Sequence, residues 1–175
     1  EKALEICNMK AQLFGIDKER VINAVAENLP FEDNTFDFIF CYTVIEHVQN
    51  VEMAIEEMIR VTKKNGYIYI NAPDYRQFTE RHYKVHLPMF LPKWINKIFL
   101  RLQGRPTDFL DSLQLVNKKQ LEKIFDKNNV SSKFYFKNAK FNWRLIIISP
   151  LHICYYLTSK LLKISDMQEW IIKKN

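Results

Sequence analysis

Glycine is scarce in this sequence of 175 residues. Only Gly15, Gly66 and Gly104 occur, and they stand far apart along the chain. A loop that holds a phosphate or pyrophosphate on its backbone amides needs several glycines within a few residues. No glycine-rich phosphate-binding loop is therefore encoded in these residues.

Cysteine is also rare, and its number is odd. Cys7, Cys41 and Cys154 are widely spaced among apolar neighbours, unlike the paired cysteines of disulfide-stabilised secreted domains. We therefore expect a reduced, cytoplasmic compartment. The chain opens at Glu1 without a signal-peptide pattern. Its first residues already have helical spacing, so we expect the chain to begin inside a helix and an upstream part of the fold to be missing.

Acidic residues are nearly absent from residues 76–105, where seven Lys and Arg residues accompany only Glu80. Residues 26–60 show the reverse balance, with eight acidic residues and the single cation Arg60. This separation of charge within a chain of net charge +6 predicts an anionic partner for the second half.

Long hydrophobic runs are missing too. Leu145–Ser159 contains fifteen uncharged residues but includes Pro150, and a membrane-spanning helix needs about 20 apolar residues. Two interpretations stay open for 145–163. It forms an apolar helix buried against the sheet, or it forms, together with the basic aromatic stretch 81–105, a surface that docks on an anionic membrane.

Short helices and strands alternate in the first half. The patterns predict a helix from the start to Phe14, a buried strand at Val21–Val25, a central strand at Phe36–Tyr42, a helix from the Asn50 cap to Lys64 with Asn65-Gly66 as its C-terminal cap, and a strand at Tyr67–Ala72. This order predicts an α/β fold, a mostly parallel sheet with flanking helices that is incomplete at its N-terminus. Ligands in such sheets bind beyond the carboxyl ends of the strands, here 24–28, 41–47 and 71–75.

The second half is less regular. Leu91–Leu102 is a basic, aromatic amphipathic stretch within an expected α-helical insertion. We predict a helix from the Asn117 cap through Phe125, and strands at Val130–Phe136 and Glu169–Lys173. A single domain is expected, with a partial cofactor-binding core at 1–75, a basic lid or insertion at 76–116, and C-terminal strands and helices at 117–175.

The segment from Ala26 to Ile39 (AENLPFEDNTFDFI), with Val44–Val48 (VIEHV), Arg60-Val61 and Gly66, resembles the class I S-adenosylmethionine-dependent methyltransferases of type 11. The resemblance covers residues 1–75. It implies a Rossmann-like fold, S-adenosylmethionine as cofactor and methyltransferase activity, although residues 1–175 alone are expected to be inactive without the glycine-rich loop. It also implies that Ala26, Glu27 and Leu29 border the adenine, and that Cys41, Tyr42 and Thr43 line the methionine side of the pocket.

Methyl transfer by in-line attack on the sulfonium requires a proton acceptor only when the acceptor atom is not already nucleophilic. The candidates are His47, Tyr42, Tyr83 and His86. Related ubiquinone-pathway O-methyltransferases hold a divalent metal with two glutamates and a histidine at the position of Glu46-His47. Here Thr43 stands at the first glutamate position, so we predict no metal.

The stretch from Arg81 to Trp94, followed by 101–105, resembles methyltransferases of cell-surface polysaccharide or lipid biosynthesis. The expected acceptor is a small molecule, a glycan or a lipid-linked compound, met in the cytoplasm or at the inner face of the membrane. A nucleic acid is not expected, because no Asn/Asp-Pro-Pro-aromatic element follows Cys41. The alternative is a non-catalytic half-fold that binds a membrane or a partner protein.

Overall fold

The computed structural model describes residues 2–17, 20–76, 79–80, 85–86, 89, 91–135, 157, 160–161 and 167–175. The elements in chain order are α1 (Lys2–Leu13), β1 (Phe36–Tyr42), α2 (Val51–Val61), β2 (Thr62–Pro73), β3 (Thr79–Glu80), β4 (Val85–His86), α3 (Lys93–Leu102), α4 (Asp108–Ser112), α5 (Lys118–Lys127), β5 (Ser131–Tyr135) and β6 (Met167–Lys173).

Four strands form the main sheet in the order β1-β2-β6-β5. β1 and β2 are parallel, with Cys41 opposite Ile70 and Tyr42 opposite Asn71. β6 is antiparallel to both β2 and β5, so three of these four strands run in the same direction. The expected Rossmann-like α/β fold with a mostly parallel sheet is confirmed. β3 and β4 form a separate two-stranded ribbon.

One face of the sheet carries the main core. Ile55 of α2 and Phe125 of α5 are fully buried together with Ile68 and Ile70 of β2, in one cluster with Trp170 of β6. The rings of Phe125 and Trp170 lie 5.2 Å apart. Each large apolar side chain buried in this way contributes about 1.5–3 kcal/mol relative to an exposed one.

The opposite face is open at β1. Phe38, Phe40 and Tyr42 alternate with the core residues along the strand and are each more than half exposed. The Phe40 ring stacks on Tyr69 of β2 at 5.1 Å and on Tyr42 at 5.8 Å. An exposed aromatic surface therefore leads to the carboxyl ends of β1 and β2.

The start of α2 agrees with the sequence prediction, but its end does not. Asn50 caps the helix, since its Oδ1 accepts hydrogen bonds from the backbone N–H groups of Glu52 and Met53. The helix ends at Val61 rather than Lys64, because Thr62 has extended backbone and enters β2.

The predicted Asn65-Gly66 cap is also wrong, because α2 ends at Val61 and both residues lie within β2. Asn65, not Gly66, has the left-handed conformation, with φ of 62°. Gly66 meets a different requirement, because a Cβ there would lie 2.8 Å from the Lys63 carbonyl oxygen and 3.0 Å from that of Asp37. The absence of a side chain lets the chain pass close to β1.

The buried strand predicted at Val21–Val25 is wrong. Residues 21–24 have no regular structure, and Val25 forms an isolated β-bridge with Asn28 and is 61% exposed. A strand needs a neighbour that accepts its backbone hydrogen bonds. Among the described strands β1 pairs with β2 only, and residues 21–25 do not join its other edge, so the segment has no strand partner apart from the bridge to Asn28.

The late helix and the two late strands predicted for the second half are confirmed where the structure describes them. Asn117 caps α5 by accepting a hydrogen bond from Gln120 N–H at 3.0 Å, and β5 and β6 are the two late strands. α3 and α4 pack on a second small core, which consists of Tyr75, Met89, Leu100, Leu110 and Leu113.

The apolar helix predicted within 145–163 lies outside the described residues, except for Leu157, Lys160 and Leu161, which are exposed. No helix in the described part of the chain has the length and apolar character needed to cross a bilayer.

Candidate functional site

The carboxyl ends of β1 and β2 lie side by side, as expected for parallel neighbours. Thr43 follows β1 with φ of 50°, a left-handed conformation that non-glycine residues seldom adopt. Its N–H donates to the carbonyl oxygen of Asn71 at 2.8 Å. This bond fixes the segment 43–47 at the end of the sheet, where strain of this kind often accompanies function.

Segment 43–47 carries a buried carboxylate beside a histidine. Glu46 is fully buried, and its carbonyl oxygen accepts a hydrogen bond from Gln114 N–H at 2.8 Å. Nε2 of His47 lies 3.9 Å from Oε1 of Glu46, and the imidazole is 5.9 Å from the Phe109 ring. The His47 side chain is 39% exposed. It therefore has a carboxylate near one nitrogen while part of the ring stays open to solvent, as a proton acceptor requires.

Cys41 precedes this segment on the core side of β1. Burial and the negative charge of Glu46 raise the pKa of its thiol to about 11. The thiol is therefore neutral near pH 7 and unsuited to nucleophilic attack. Packing explains its place in the core.

Among the residues that the structure describes, only two of the four proposed proton acceptors lie close together. His47 and Tyr42 both belong to the carboxyl end of β1, where the Tyr42 ring stacks on the exposed aromatic surface. Tyr83 lies outside the described residues. For His86 the structure describes the β4 backbone, paired with Thr79, and not the side chain.

The loop that carries Leu29 is held by two charged residues of α2. Leu29 N–H donates to Oε2 of Glu57 at 2.9 Å, and Arg60 Nη2 donates to the Leu29 carbonyl oxygen at 3.1 Å. Arg60 also donates to Phe31 O at 2.8 Å and to both Glu57 oxygens at 2.8 Å. Burial raises the pKa of Glu57, but the Arg60 guanidinium outweighs it and holds that pKa below its usual value.

Sequence reasoning missed this arrangement. The available signal was the single cation among eight acidic residues of 26–60, since a lone Arg in such a segment has carboxylates to pair with. The carbonyl contacts to residues 29 and 31 had no sequence signal.

Glu27 connects the same loop to the start of α2. Its Oε1 accepts hydrogen bonds from the N–H groups of Gln49 at 2.6 Å and Asn50 at 3.1 Å. Burial acts to raise the pKa of Glu27, but these backbone donors outweigh it and lower the pKa. The carboxylate is thus engaged within the protein, whereas Ala26 and Leu29 are half-buried apolar residues.

Within the described residues, no group of three His, Cys, Asp or Glu side chains is arranged to hold a metal ion.

Residues 1–70 match the family described as a methyltransferase domain. In the solved structure of YcgJ from Bacillus subtilis, the fold covers all of this chain and 79% of that one, with a TM-score of 0.62 at 17% identity. Over these 70 residues the chain resembles a methyltransferase domain, and its fold is similar to that of YcgJ. Sequence and fold therefore agree with the resemblance carried by residues 26–48.

Curated relatives extend the comparison. "Uncharacterized methyltransferase YcgJ" of B. subtilis is 35% identical over 66 residues, which is 38% of this chain and 26% of that protein. Demethylmenaquinone methyltransferase of Staphylococcus haemolyticus is 27% identical over 140 residues, 73% of this chain and 53% of that one. Sterol 24-C-methyltransferase erg6 of Schizosaccharomyces pombe is 25% identical over 141 residues, 74% and 35% of the two chains. The chain thus spans about a quarter to a half of these relatives' length.

S-adenosylmethionine is the cofactor of the methyltransferases that this chain resembles. It presents an adenine, a ribose, a methyl sulfonium and an amino-acid end. The half-buried apolar pair Ala26 and Leu29 fits the adenine, and the strained turn at Thr43 beside the Tyr42 ring fits the methyl end. The amino-acid end needs converging backbone amides, and the three isolated glycines of this chain provide no loop for it. The described residues therefore fit part of the cofactor.

Proposed function

We propose that this chain serves S-adenosylmethionine-dependent methyl transfer to a small-molecule, glycan or lipid-linked acceptor. One observation carries the proposal: the hydrogen bond from Thr43 to Asn71 fixes segment 43–47 at the shared carboxyl edge of β1 and β2. That edge is where ligands bind in sheets of this kind. The buried carboxylate of Glu46 and the half-open imidazole of His47 lie in this segment.

The chain's own residues have separate tasks in the proposed reaction. Ala26 and Leu29 contact the adenine, and Arg60 with Glu57 holds their loop in place. The bound cofactor supplies an electrophilic methyl group on a sulfonium. His47 takes up the acceptor's proton on its imidazole, and the negative charge of Glu46, 3.9 Å from Nε2, stabilises the imidazolium. Positioning and exclusion of water contribute most of the acceleration.

Among the proposed small-molecule, glycan and lipid-linked acceptors, an apolar molecule has the most support. Two relatives that align with nearly three quarters of this chain are named for demethylmenaquinone and for a sterol. The site also opens beside the exposed aromatic surface of Phe38, Phe40 and Tyr42, which offers planar apolar area to such a molecule. The proposed location is accordingly the cytoplasm or the inner face of the membrane.

The second candidate function is non-catalytic binding of a membrane or a protein partner. One observation favours it, namely the open aromatic face of β1. It can be tested against the leading proposal, because a binding function requires neither a methyl acceptor nor a proton transfer.

The deciding experiment follows radioactive methyl from S-adenosylmethionine into organic-soluble and aqueous products, with a cell extract as the source of acceptors. The native protein, with any residues that precede Glu1 in the cell, is compared with its His47→Gln variant and with the surface variant Lys63→Met, which lies away from the site. We expect label in the organic phase, lost in His47→Gln and kept in Lys63→Met. Absence of transfer into either phase would favour the binding function.

A further inference from the structure

We propose that α3 docks this domain on an anionic lipid surface, through an apolar stripe formed by Trp94, Ile98 and Leu102 and the adjacent cations Arg101 and Arg105. The inference goes beyond methyl transfer and does not depend on it.

The first observation is that α3 directs its apolar side to solvent. Its buried residues are Asn96 and Leu100, whereas Trp94 is 63% and Leu102 80% exposed, with Ile98 exposed between them. Residues four apart lie on one side of a helix, so Trp94, Ile98 and Leu102 form a continuous stripe. A contiguous exposed apolar stripe on a helix indicates an interaction surface.

The buried side of α3 is held firmly. Leu100 belongs to the second core with Leu110 and Leu113, and Nδ2 of Asn96 donates to the Leu91 carbonyl oxygen at 3.0 Å. Lys97 pairs with Asp111 of α4 at 2.7 Å. The orientation of the stripe is thus fixed before docking, which limits the entropy lost on binding.

The second observation is charge. Residues 91–107 contain no Asp or Glu, and cations recur at every fourth position, at Lys93, Lys97, Arg101 and Arg105. Lys93 Nζ donates to the carbonyl oxygens of Leu113 at 2.6 Å and Asp111 at 3.1 Å. Arg101 and Arg105 are exposed, and within the described residues neither forms an ion pair. These two guanidinium groups are available to an anionic partner.

The apolar stripe and the cations beside it together identify the partner as an anionic lipid bilayer. Trp, Ile and Leu on one side of a helix with cations beside them match a helix that lies in the headgroup layer of a bilayer. Tryptophan favours that layer because its ring is both apolar and polar. A cationic rim without acidic residues complements anionic phospholipid headgroups.

The test measures binding of the chain to vesicles of phosphatidylcholine with and without phosphatidylserine, by co-sedimentation at low salt. We expect binding to the mixed vesicles that weakens as salt is added. Each cation near the surface contributes about fivefold to partitioning, so Arg101→Gln/Arg105→Gln loses roughly 25-fold. Trp94→Ala/Leu102→Ala loses binding as well, because it removes the apolar stripe.

Matched controls distinguish binding through this surface from a general effect of net charge or exposed apolar area. Lys2→Gln/Lys10→Gln on α1 makes the same change in net charge, and Leu13→Ala/Phe14→Ala removes comparably exposed apolar side chains. Both controls are expected to bind like the wild type. All replaced side chains are exposed, and circular dichroism verifies that each variant is folded.

Three results would overturn the proposal. The first is no binding to mixed vesicles at low salt, and the second is an equal loss in the control variants. The third is self-association of the chain that depends on Trp94 without vesicle binding, which would assign the stripe to a second copy.

Discussion

Arg60 tests how the loop of residues 26–33 is held, and the variant Arg60→Met removes its guanidinium while keeping an apolar stem. The change deletes hydrogen bonds to both Glu57 oxygens, to Asp33, and to the carbonyl oxygens of Leu29 and Phe31. It leaves the Glu57 carboxylate with one backbone donor, Leu29 N–H.

The expected loss of stability depends on how deeply the Arg60 and Glu57 side chains are buried. The Glu57 side chain is 18% and the Arg60 side chain 31% exposed, so this pair is partly screened by water. Loss of one partner of a fully buried pair costs about 3–5 kcal/mol, and exposed pairs contribute about 0–1 kcal/mol. Asp33 is largely exposed and adds little. We therefore expect Arg60→Met to lower the free energy of unfolding by about 2–3 kcal/mol.

The assay is urea unfolding followed by circular dichroism, with equal slopes for the two proteins as a condition for comparison. The matched control is Lys63→Met, which breaks an ion pair with Asp37 of similar length, 2.9 Å, between side chains that are 45% and 83% exposed. Its expected cost is at most about 1 kcal/mol. If Arg60→Met costs no more than Lys63→Met, the reasoning from burial is refuted.

Three further predictions concern other parts of the chain. The pKa values of Glu27 and Glu57 are below the ordinary 4.5 in the fold. The stabilisation that these two ionised carboxylates provide is present above pH 4.5 and is lost as the pH drops through their pKa values in the folded protein. An unchanged urea midpoint from pH 7 to pH 4 would contradict this. Gly66→Ala places a methyl against backbone oxygens and is expected to cost about 1–3 kcal/mol; a thermal midpoint equal to wild type would contradict the crowding. Alkylation mapped by mass spectrometry should find Cys41 far slower than the exposed Cys7, and equal rates would show that the thiol is accessible and ionised.

Sequence reasoning succeeded where the signal was local. The caps at Asn50 and Asn117 were predicted because the side chain that accepts the hydrogen bonds and the N–H groups that donate them lie within three residues. The edge of the sheet that holds segment 43–47 was predicted because parallel strands joined by a helix bring their carboxyl ends together.

It failed where the outcome depends on distant residues. Val21–Val25 has the composition of a buried strand, but strand formation requires a neighbour that the local pattern does not specify. The Leu29 to Arg60 contact joins residues 31 positions apart. For residues 91–102 the sequence indicates a basic amphipathic stretch, yet only the structure shows that Asn96 is buried while Trp94 and Leu102 are exposed.

The most direct test of the central claim is a titration of the ¹⁵N-labelled chain with S-adenosylmethionine, followed by amide chemical shifts. The account predicts perturbations confined to residues 26–29 and 41–47, with affinity weaker than low micromolar because no glycine-rich loop holds the amino-acid end. Low-micromolar affinity would contradict the claim that this chain holds only part of the cofactor site. Perturbations absent from both segments, or centred on other parts of the chain, would contradict the assignment of the cofactor to the carboxyl edge of β1 and β2.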